Sequence, residues 1–414
     1  MASINPVTDV VRAVRDALDG GSAYAPQPRL SDGAIPPGTA LVLRTSGSTG
    51  NPREVALSAA ALRASAEATH DRLGGPGRWL LVLPPTHVAG IQVINRSVIA
   101  GTEVRVGALD RFTPEEFAAL AADFLAHGTR AYVSLVPTQL HRLVTAADDG
   151  AAAGLDALAR FDAVLVGGAA TPAPLLARAR AAGVRVVTTY GMSETSGGCV
   201  YDGVPLAGVR VRLADDGGVG TGTGTGTVSL STGTGVVELA GPVLAEGYVG
   251  DPDATSAAFR TDPDGTRWFR TSDLGRLDDG RLTILGRADD VILTGGVNVA
   301  PPAVEDAIAE CLAELGTPGE ACVVGVPDDE WGQAVVAVLA VRDGAPAGRD
   351  LADGGPELLS GLRSAVAQRL GAPSAPRRVY VTATLPTRGP GKVDRRAVRD
   401  AVVRAEAARE PVRP

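Results

Sequence analysis

From residue 41 to residue 188, short apolar runs of strand length alternate with helical segments, and nothing else in this chain narrows its architecture as far. The runs at 41–44, 79–83, 131–136, 163–166 and 184–188 are largely continuous in apolar character, as in strands buried on both faces. Between them, Thr113-Pro-Glu-Glu116 reads as a capping box with proline at the first helical position, and Phe117, Leu120, Ala121 and Phe124 recur at helical spacing. Residues 172–182 supply a further helix between the last two runs. A parallel sheet with covering helices is the predicted product.

Past Tyr201 the texture changes. Segments 209–213, 236–239 and 281–285 read as short strands, and 217–235 is a Gly/Thr tract too poor in apolar side chains to pack, expected to be a flexible surface loop to which no function is assigned. A second α/β pattern follows Gly286-Arg-Ala-Asp-Asp290, with helices at 302–315 and 357–370 and strands at 322–326, 335–341 and 379–382. Two domains are therefore predicted: 1–286, with a parallel sheet and a β-rich subdomain, and a small α+β domain at 287–414.

Composition removes several function classes. The chain has 414 residues, 45% hydrophobic content and a net charge of -8, and no stretch concentrates arginine with aromatics, so a nucleic-acid partner is not expected. Cys199, Cys311 and Cys322 show no C-x-x-C spacing, which fits reduced thiols and a cytoplasmic location. No apolar run has the length of a signal-peptide core or of a membrane span, so no integral membrane segment is expected.

Lys392 is the only lysine in the sequence. It stands in Leu385-Pro-Thr-Arg-Gly-Pro-Gly-Lys-Val-Asp-Arg395, a Pro/Gly-rich loop entering a helical segment, where a compact ammonium on a flexible stem reaches between oxygens as a forked guanidinium cannot. Thr45-Ser-Gly-Ser-Thr-Gly-Asn-Pro-Arg53 follows a strand and offers amide and hydroxyl donors for phosphate, although Gly47 and Gly50 are too close together for the G-x-x-x-x-G-K loop. Tyr190-Gly-Met-Ser-Glu-Thr195 follows a strand end and carries an aromatic face, a hydroxyl and a carboxylate suited to Mg²⁺. Arg270-Thr-Ser-Asp-Leu-Gly275 sets an acid in a turn, suited to ribose hydroxyls. Each motif alone reads equally as a turn or a surface acid; the ordered series is specific.

That series resembles the adenylate-forming superfamily of acyl-CoA synthetases, carrier-protein adenylation domains and luciferases, over about residues 41–396. The resemblance implies that the small C-terminal domain is mobile and that the substrates and cofactors are ATP, Mg²⁺, CoA and a small carboxylic acid. It implies that Thr45, Ser46, Gly47, Ser48, Thr49, Gly50 and Arg53 hold the ATP phosphates, that Gly167, Gly168 and Ala169 lie beside the adenine, and that Tyr190 stacks on it, with Gly191 and Met192 adjoining. Ser193 would bond phosphate, Glu194 would bind Mg²⁺, Asp273 would hold the ribose, Arg287 would lie close to ribose or phosphate, Asp289 would be the hinge, and Lys392 would be the adenylation lysine. Gly295 and Gly296 would line the CoA channel.

Within the superfamily, Pro84-Pro-Thr-His-Val-Ala-Gly90, Asn95-Arg-Ser-Val-Ile-Ala-Gly101, the stretch 190–203 and the stretch 286–305 resemble o-succinylbenzoate-CoA ligases of menaquinone biosynthesis, in their short actinobacterial form. The implied acid has two carboxylates. Arg96 is the candidate for the one that is not activated, with snorkelling to the surface as the competing reading. His87 reads either as a neighbour of the acyl group or as packing, and Ser196 and Gly197 as pocket lining.

Three departures stand out. Arg53 occupies the position usual for lysine, Glu54 follows it and would repel phosphate unless it turns away or pairs with Arg53, and the phosphate loop comes early in the chain, where a homodimer interface would replace missing scaffold. Two other readings fit the same motifs: a ligase for another aryl or short-chain acid, and a degenerate fold that binds nucleotide without turnover. Retention of Lys392 speaks against the second.

Overall fold

The structure is a computed structural model describing residues 6–30, 32–45, 52–107, 111–128, 130–214, 233–317, 319–341, 351–388 and 392–408. The expectations for Ser46 to Gly50 and for most of the Gly/Thr tract lie outside those residues. The end of that tract does not: Gly235 belongs to the strand Thr234–Ala240.

A seven-stranded sheet runs through the first half of the chain in the order Val104–Val106, Arg78–Leu81, Ala131–Leu135, Ala163–Gly167, Val186–Met192, Gly197–Tyr201, Val204–Pro205. The first five strands are parallel, and four of them fall on the predicted apolar runs; Val104–Val106 was not anticipated, and the run at 41–44 leaves this sheet to pair antiparallel with Arg53–Ser58. Antiparallel pairing of the last two was not anticipated. Its cause is local: the 3₁₀ turn Ser193–Thr195 and Ser196, with a left-handed φ of 51°, reverse the chain immediately after Met192.

The covering helices follow from capping and periodicity. Thr113 Oγ1 accepts a 3.2 Å bond from Glu116 N and opens the helix Pro114–Leu125, whose Phe117, Ala121 and Phe124 are buried. Phe117 and Phe124 stack on Phe161 at centroid distances of 6.3 and 5.9 Å, and each buried ring contributes about 1.5–3 kcal/mol. On the other side of the sheet the helices Ala59–Arg72 and Val88–Ala100 pack on the core built around Trp79, Tyr132 and Tyr201. Ala59–Arg72, Pro137–Asp148 and the amphipathic Pro6–Leu18 are among the helices that the apolar pattern alone did not single out.

A five-stranded antiparallel sheet comprises Arg210–Ala214, Thr234–Ala240, Phe259–Thr261, Arg267–Asp278 and Arg281–Arg287. A smaller sheet joins Thr39–Thr45, Arg53–Ser58 and Gly247–Tyr248. This last pairing carries Thr39–Thr45, Arg53–Ser58 and Tyr248 onto one surface.

Residues 292–402 build two further cores on opposite faces of one sheet. Along Glu320–Asp328 and Gly332–Ala340 the period-two alternation is visible: Val323, Val335, Ala337 and Leu339 face the helices Pro301–Glu314 and Gly355–Leu370, while Cys322, Val324, Val336 and Val338 face Val398 and Val402 of Arg395–Ala407. That sheet is mixed, since Gly332–Ala340 pairs antiparallel with Glu320–Asp328 and parallel with Arg378–Thr382.

Candidate active site

The parallel strands Ala163–Gly167 and Val186–Met192 end side by side, and their carboxyl ends carry the two central motifs, as open α/β sheets favour for ligands. Gly191 has φ +156°, and a Cβ there would stand 2.1 Å from Gly197 O, so only glycine lets the strand pass the antiparallel return. Gly168 likewise has φ +84°, directly after the strand that ends at Gly167.

Glu194 lies in the 3₁₀ turn, where the segment after residue 240 holds it. Ala245 N donates to Glu194 O at 2.9 Å, and Tyr248 Oη donates to Glu194 Oε1 at 3.0 Å. The Arg53 guanidinium sits 5.0 Å from the centre of the Tyr248 ring. Burial raises the Glu194 pKa, against its own backbone hydrogen bond, the Tyr248 bond and the Arg53 charge. A divalent cation would relieve that penalty, and a hard carboxylate oxygen fits Mg²⁺. Among the described residues no cluster of three or more His, Cys, Asp or Glu side chains forms a metal cage. Tyr248 was not singled out from the sequence, because its link to Glu194 spans 54 positions and no local pattern announces it.

A second group gathers Tyr190, Asp273, Arg287, Asp289 and Lys392. Tyr190 Oη donates to Asp273 Oδ2 at 2.7 Å, Arg287 Nη1 stands 4.0 Å from Asp273 Oδ1, and Arg287 Nη2 donates to Asp289 Oδ2 at 2.8 Å. Burial raises the Asp273 pKa, while the Tyr190 bond and the charges of Arg287 and Lys392 lower it. Lys392 is exposed by surface area, yet protein atoms crowd its ammonium: desolvation first, then Arg388 and Arg287, lower its pKa, opposed by Asp273 and Asp290. Solvent screens those interactions, so the shift bears on protonation and not on stability. The structure thus brings Lys392, from the far end of the chain, into electrostatic reach of the Asp273 carboxylate.

The loop bearing Lys392 is anchored by its neighbour. Arg395 Nη1 donates to Glu305 Oε1 and to Val323 O, Arg395 Nη2 stands 3.2 Å from Glu305 Oε2, and Arg395 Nε is 3.5 Å from Asp290 Oδ2.

Beside the adenine-type motifs lies a cavity whose walls include Leu83, Gln92, Arg96, Ser134, Gly167 and Gly197. Arg96 is 4% exposed, so it does not snorkel. Its Nη2 donates to Tyr201 Oη at 3.2 Å, its guanidinium lies 5.0 Å from the Trp79 ring centre, and its Nε has no protein partner among the described residues. Gly197 lines the cavity as expected. Ser196 does not present its side chain there: Oγ donates to Val243 O at 2.9 Å and the residue is fully buried. His87 caps the helix Val88–Ala100 without a side-chain cap bond, is half-buried, and is not among the lining residues; burial lowers its pKa.

Glu54 does not pair with Arg53. Adjacent strand residues point to opposite faces, and the Glu54 carboxylate turns away to accept from Arg29 Nε at 2.9 Å and Leu30 N at 2.7 Å. Gly295 and Gly296 form the turn between Ile292–Thr294 and Val297–Val299, and the bonds holding that hairpin run to the small domain: Gly295 N to Trp331 O at 2.9 Å and Leu293 N to Gln333 Oε1 at 2.9 Å. Trp331 packs so closely that a Cβ on Gly295 would lie 2.7 Å from its ring.

No helix among the described residues is long and apolar enough to cross a membrane. Comparison with known proteins agrees with the geometry. Residues 8–249 match the AMP-binding enzyme family and residues 304–392 the AMP-binding enzyme C-terminal domain. The chain is 46% identical over 367 residues to a probable 2-succinylbenzoate–CoA ligase of Mycobacterium tuberculosis, covering 87% of this chain and 83% of that one. It is 30% identical over 384 residues to the 2-succinylbenzoate–CoA ligase of Geobacillus kaustophilus, covering 89% and 70%. Among solved structures, o-succinylbenzoate CoA synthetase from Bacillus subtilis in complex with its acyl-adenylate intermediate superposes with a TM-score of 0.68 at 27% identity, over 88% of this chain and 69% of that one. ATP-bound MatB from Rhodopseudomonas palustris superposes with a TM-score of 0.69 at 27% identity, over 92% and 71%. With the sheet, the nucleotide-type motifs and the lysine-bearing domain in this order, the chain belongs to the AMP-binding enzyme family, within the adenylate-forming superfamily.

Proposed function

We propose that the protein ligates 2-succinylbenzoate to CoA through an acyl-adenylate, consuming ATP and releasing AMP and pyrophosphate, in menaquinone biosynthesis. The observation that carries the choice of acid is Arg96: a buried guanidinium, without a carboxylate partner among the described residues, is the single charged side chain lining the cavity beside the nucleotide motifs. Likeness to ligases named for this acid supports the same reading.

In the first half-reaction a substrate carboxylate attacks the α-phosphorus of ATP while negative charge passes to the departing pyrophosphate. Thr45, Ser46, Gly47, Ser48, Thr49, Gly50 and Arg53 hold the phosphates, with Ser193 as a further donor. Tyr190 stacks on the adenine beside Gly167, Gly168 and Ala169, with Gly191 and Met192 closing the turn. Asp273 accepts from the ribose hydroxyls with Tyr190 Oη and Arg287 fixing its carboxylate. Glu194 would be the protein ligand for Mg²⁺, which when bound would neutralise phosphate charge. Lys392 supplies a cation at the reacting phosphate, where fixed charge in a poorly solvated site stabilises the transition state most.

In the second half-reaction the domain 287–414 turns about Asp289, withdrawing Lys392 and bringing Gly295 and Gly296 to the site, where backbone without side chains lets the CoA arm approach. The reading places the protein in the cytoplasm, which its three free, buried cysteines support. The test is pyrophosphate release over a panel of carboxylic acids with and without CoA. Release with 2-succinylbenzoate and CoA-dependent AMP formation are expected. Equal release with benzoates lacking the succinyl arm overturns the choice of acid, and no release with any acid overturns the enzyme.

A further inference from the structure

The wall of the cavity around Arg96 contains polar groups, Tyr201 and Thr69, to which the reaction assigns no part. Arg96, on the helix Val88–Ala100, reaches Tyr201, on the strand Gly197–Tyr201, and Tyr201 Oη in turn lies 3.0 Å from Thr69 Oγ1, on the helix Ala59–Arg72. All three are buried, at 4%, 0% and 0% exposure. A guanidinium only donates, so the phenol oxygen accepts from Arg96, and its single proton has Thr69 Oγ1 as partner. The Trp79 ring under the guanidinium completes the seat.

Burying a guanidinium without a counter-charge is costly, and a buried donor without a partner adds to the cost. Arg96 pays it on both counts, because it has no carboxylate partner and its Nε is unpartnered among the described residues. A protein retains such a group where a ligand supplies the missing anion. The neighbouring His70 does not share the task. It is buried, its Nε2 has no partner among the described residues, and burial and then the Arg96 charge, against Asp71, push its pKa down to about 4, so it stays neutral near pH 7.

We infer that Tyr201, steadied by Thr69, is a specificity-determining positioning residue that holds the Arg96 guanidinium toward the cavity for the substrate carboxylate that is not activated. This rests on the diacid reading above. Tyr201 also lines the cavity, but it is fully buried and its hydroxyl is engaged by Arg96 and Thr69, so the role inferred for it runs through Arg96. The inference therefore predicts a change in discrimination between acids, which a general loss of fold would not produce.

The experiment compares kcat/KM for 2-succinylbenzoate with kcat/KM for 4-oxo-4-phenylbutanoate, which keeps the succinyl arm and lacks the second carboxylate. In Tyr201→Phe the ratio of the two is expected to fall by about tenfold, the scale of one hydrogen bond to a charged group. Thr69→Val carries the same expectation in the same direction and serves where Tyr201→Phe does not fold. An unchanged ratio in the folded variants, with the parent enzyme favouring the diacid, overturns the role of Tyr201 alone. A parent enzyme that does not favour the diacid overturns this inference together with the choice of substrate.

Discussion

Tyr190 and Asp273 lie 83 positions apart in sequence and meet through a 2.7 Å hydrogen bond from Tyr190 Oη to Asp273 Oδ2. The aromatic face proposed for adenine and the carboxylate proposed for ribose are therefore one unit. Burial raises the Asp273 pKa, and the tyrosine bond is the first of the opposing causes. Removing it in Tyr190→Phe drives the carboxyl further up. Ribose recognition needs the anion and is lost as pH falls through this pKa, so the acid limb of ATP affinity should move to higher pH. Calorimetric titration of ATP across pH 5–8 should show that displacement, with affinity at the acid end weakened by about tenfold, the scale of a hydrogen bond to a charged group.

Lys392 carries the second prediction. In the proposed reading Arg53 neutralises phosphate with a guanidinium, so a specific need for ammonium should be confined to the adenylation step. Lys392→Arg should lower the rate of pyrophosphate release by about 10²-fold or more, the scale of losing one preorganised donor to a transition state. Conversion of preformed acyl-adenylate and CoA to thioester should stay within a few-fold of the parent. Equal loss in both half-reactions overturns the assignment. Because desolvation and two neighbouring guanidinium groups lower the lysine pKa from 10.5, the active cation should be lost, as pH rises, earlier than for an ordinary lysine.

Glu54 gives a prediction about stability. Its carboxylate is 3% exposed as a residue and is satisfied by Arg29 Nε and Leu30 N. Arg29→Ala leaves a buried charge with one backbone donor, a change that costs about 3–5 kcal/mol. Arg29→Ala combined with Glu54→Gln removes the orphaned charge and should recover a large part of that loss. Thermal midpoints of the four proteins of this cycle measure the coupling, and additive losses would show that the pair is not coupled.

What the sequence made legible follows the range of the interactions. The parallel strands and the helix opened by Thr113 are encoded within a few residues and were anticipated. So was the gathering of Asp273, Arg287 and Lys392, because each stands in a motif. The partners that orient them were not. Tyr248 meets Glu194, Arg29 meets Glu54 and Tyr201 meets Arg96 across 54, 25 and 105 positions, through pairings that only the folded sheets create. Arg96 itself had two readings in sequence, and packing over Trp79 decided against the solvent-facing one. The reversal after Met192 depends on a left-handed Ser196, a conformation that serine does not advertise.

The anchor behind the lysine loop gives the last prediction. Arg395 lies three positions after Lys392 and ties the start of Arg395–Ala407 to Glu305 of the helix Pro301–Glu314, to the carbonyl of Val323 and to Asp290 beside the proposed hinge. Arg395→Met keeps the apolar stem but removes the fork, leaving Glu305 Oε1 with the 2.8 Å bond from Val323 N as its remaining support. Breaking a largely buried pair from one side costs about 3–5 kcal/mol, so the transition of the small domain should come at lower denaturant. The loop loses its fixed origin in the same stroke. Below that transition, adenylation, which needs Lys392 held at the phosphate, should fall by about tenfold or more, whereas thioester formation from preformed adenylate, which needs it withdrawn, should change less. Parallel measurement of both half-reactions in native buffer separates the two effects: equal losses would mean that Arg395 only keeps the domain folded.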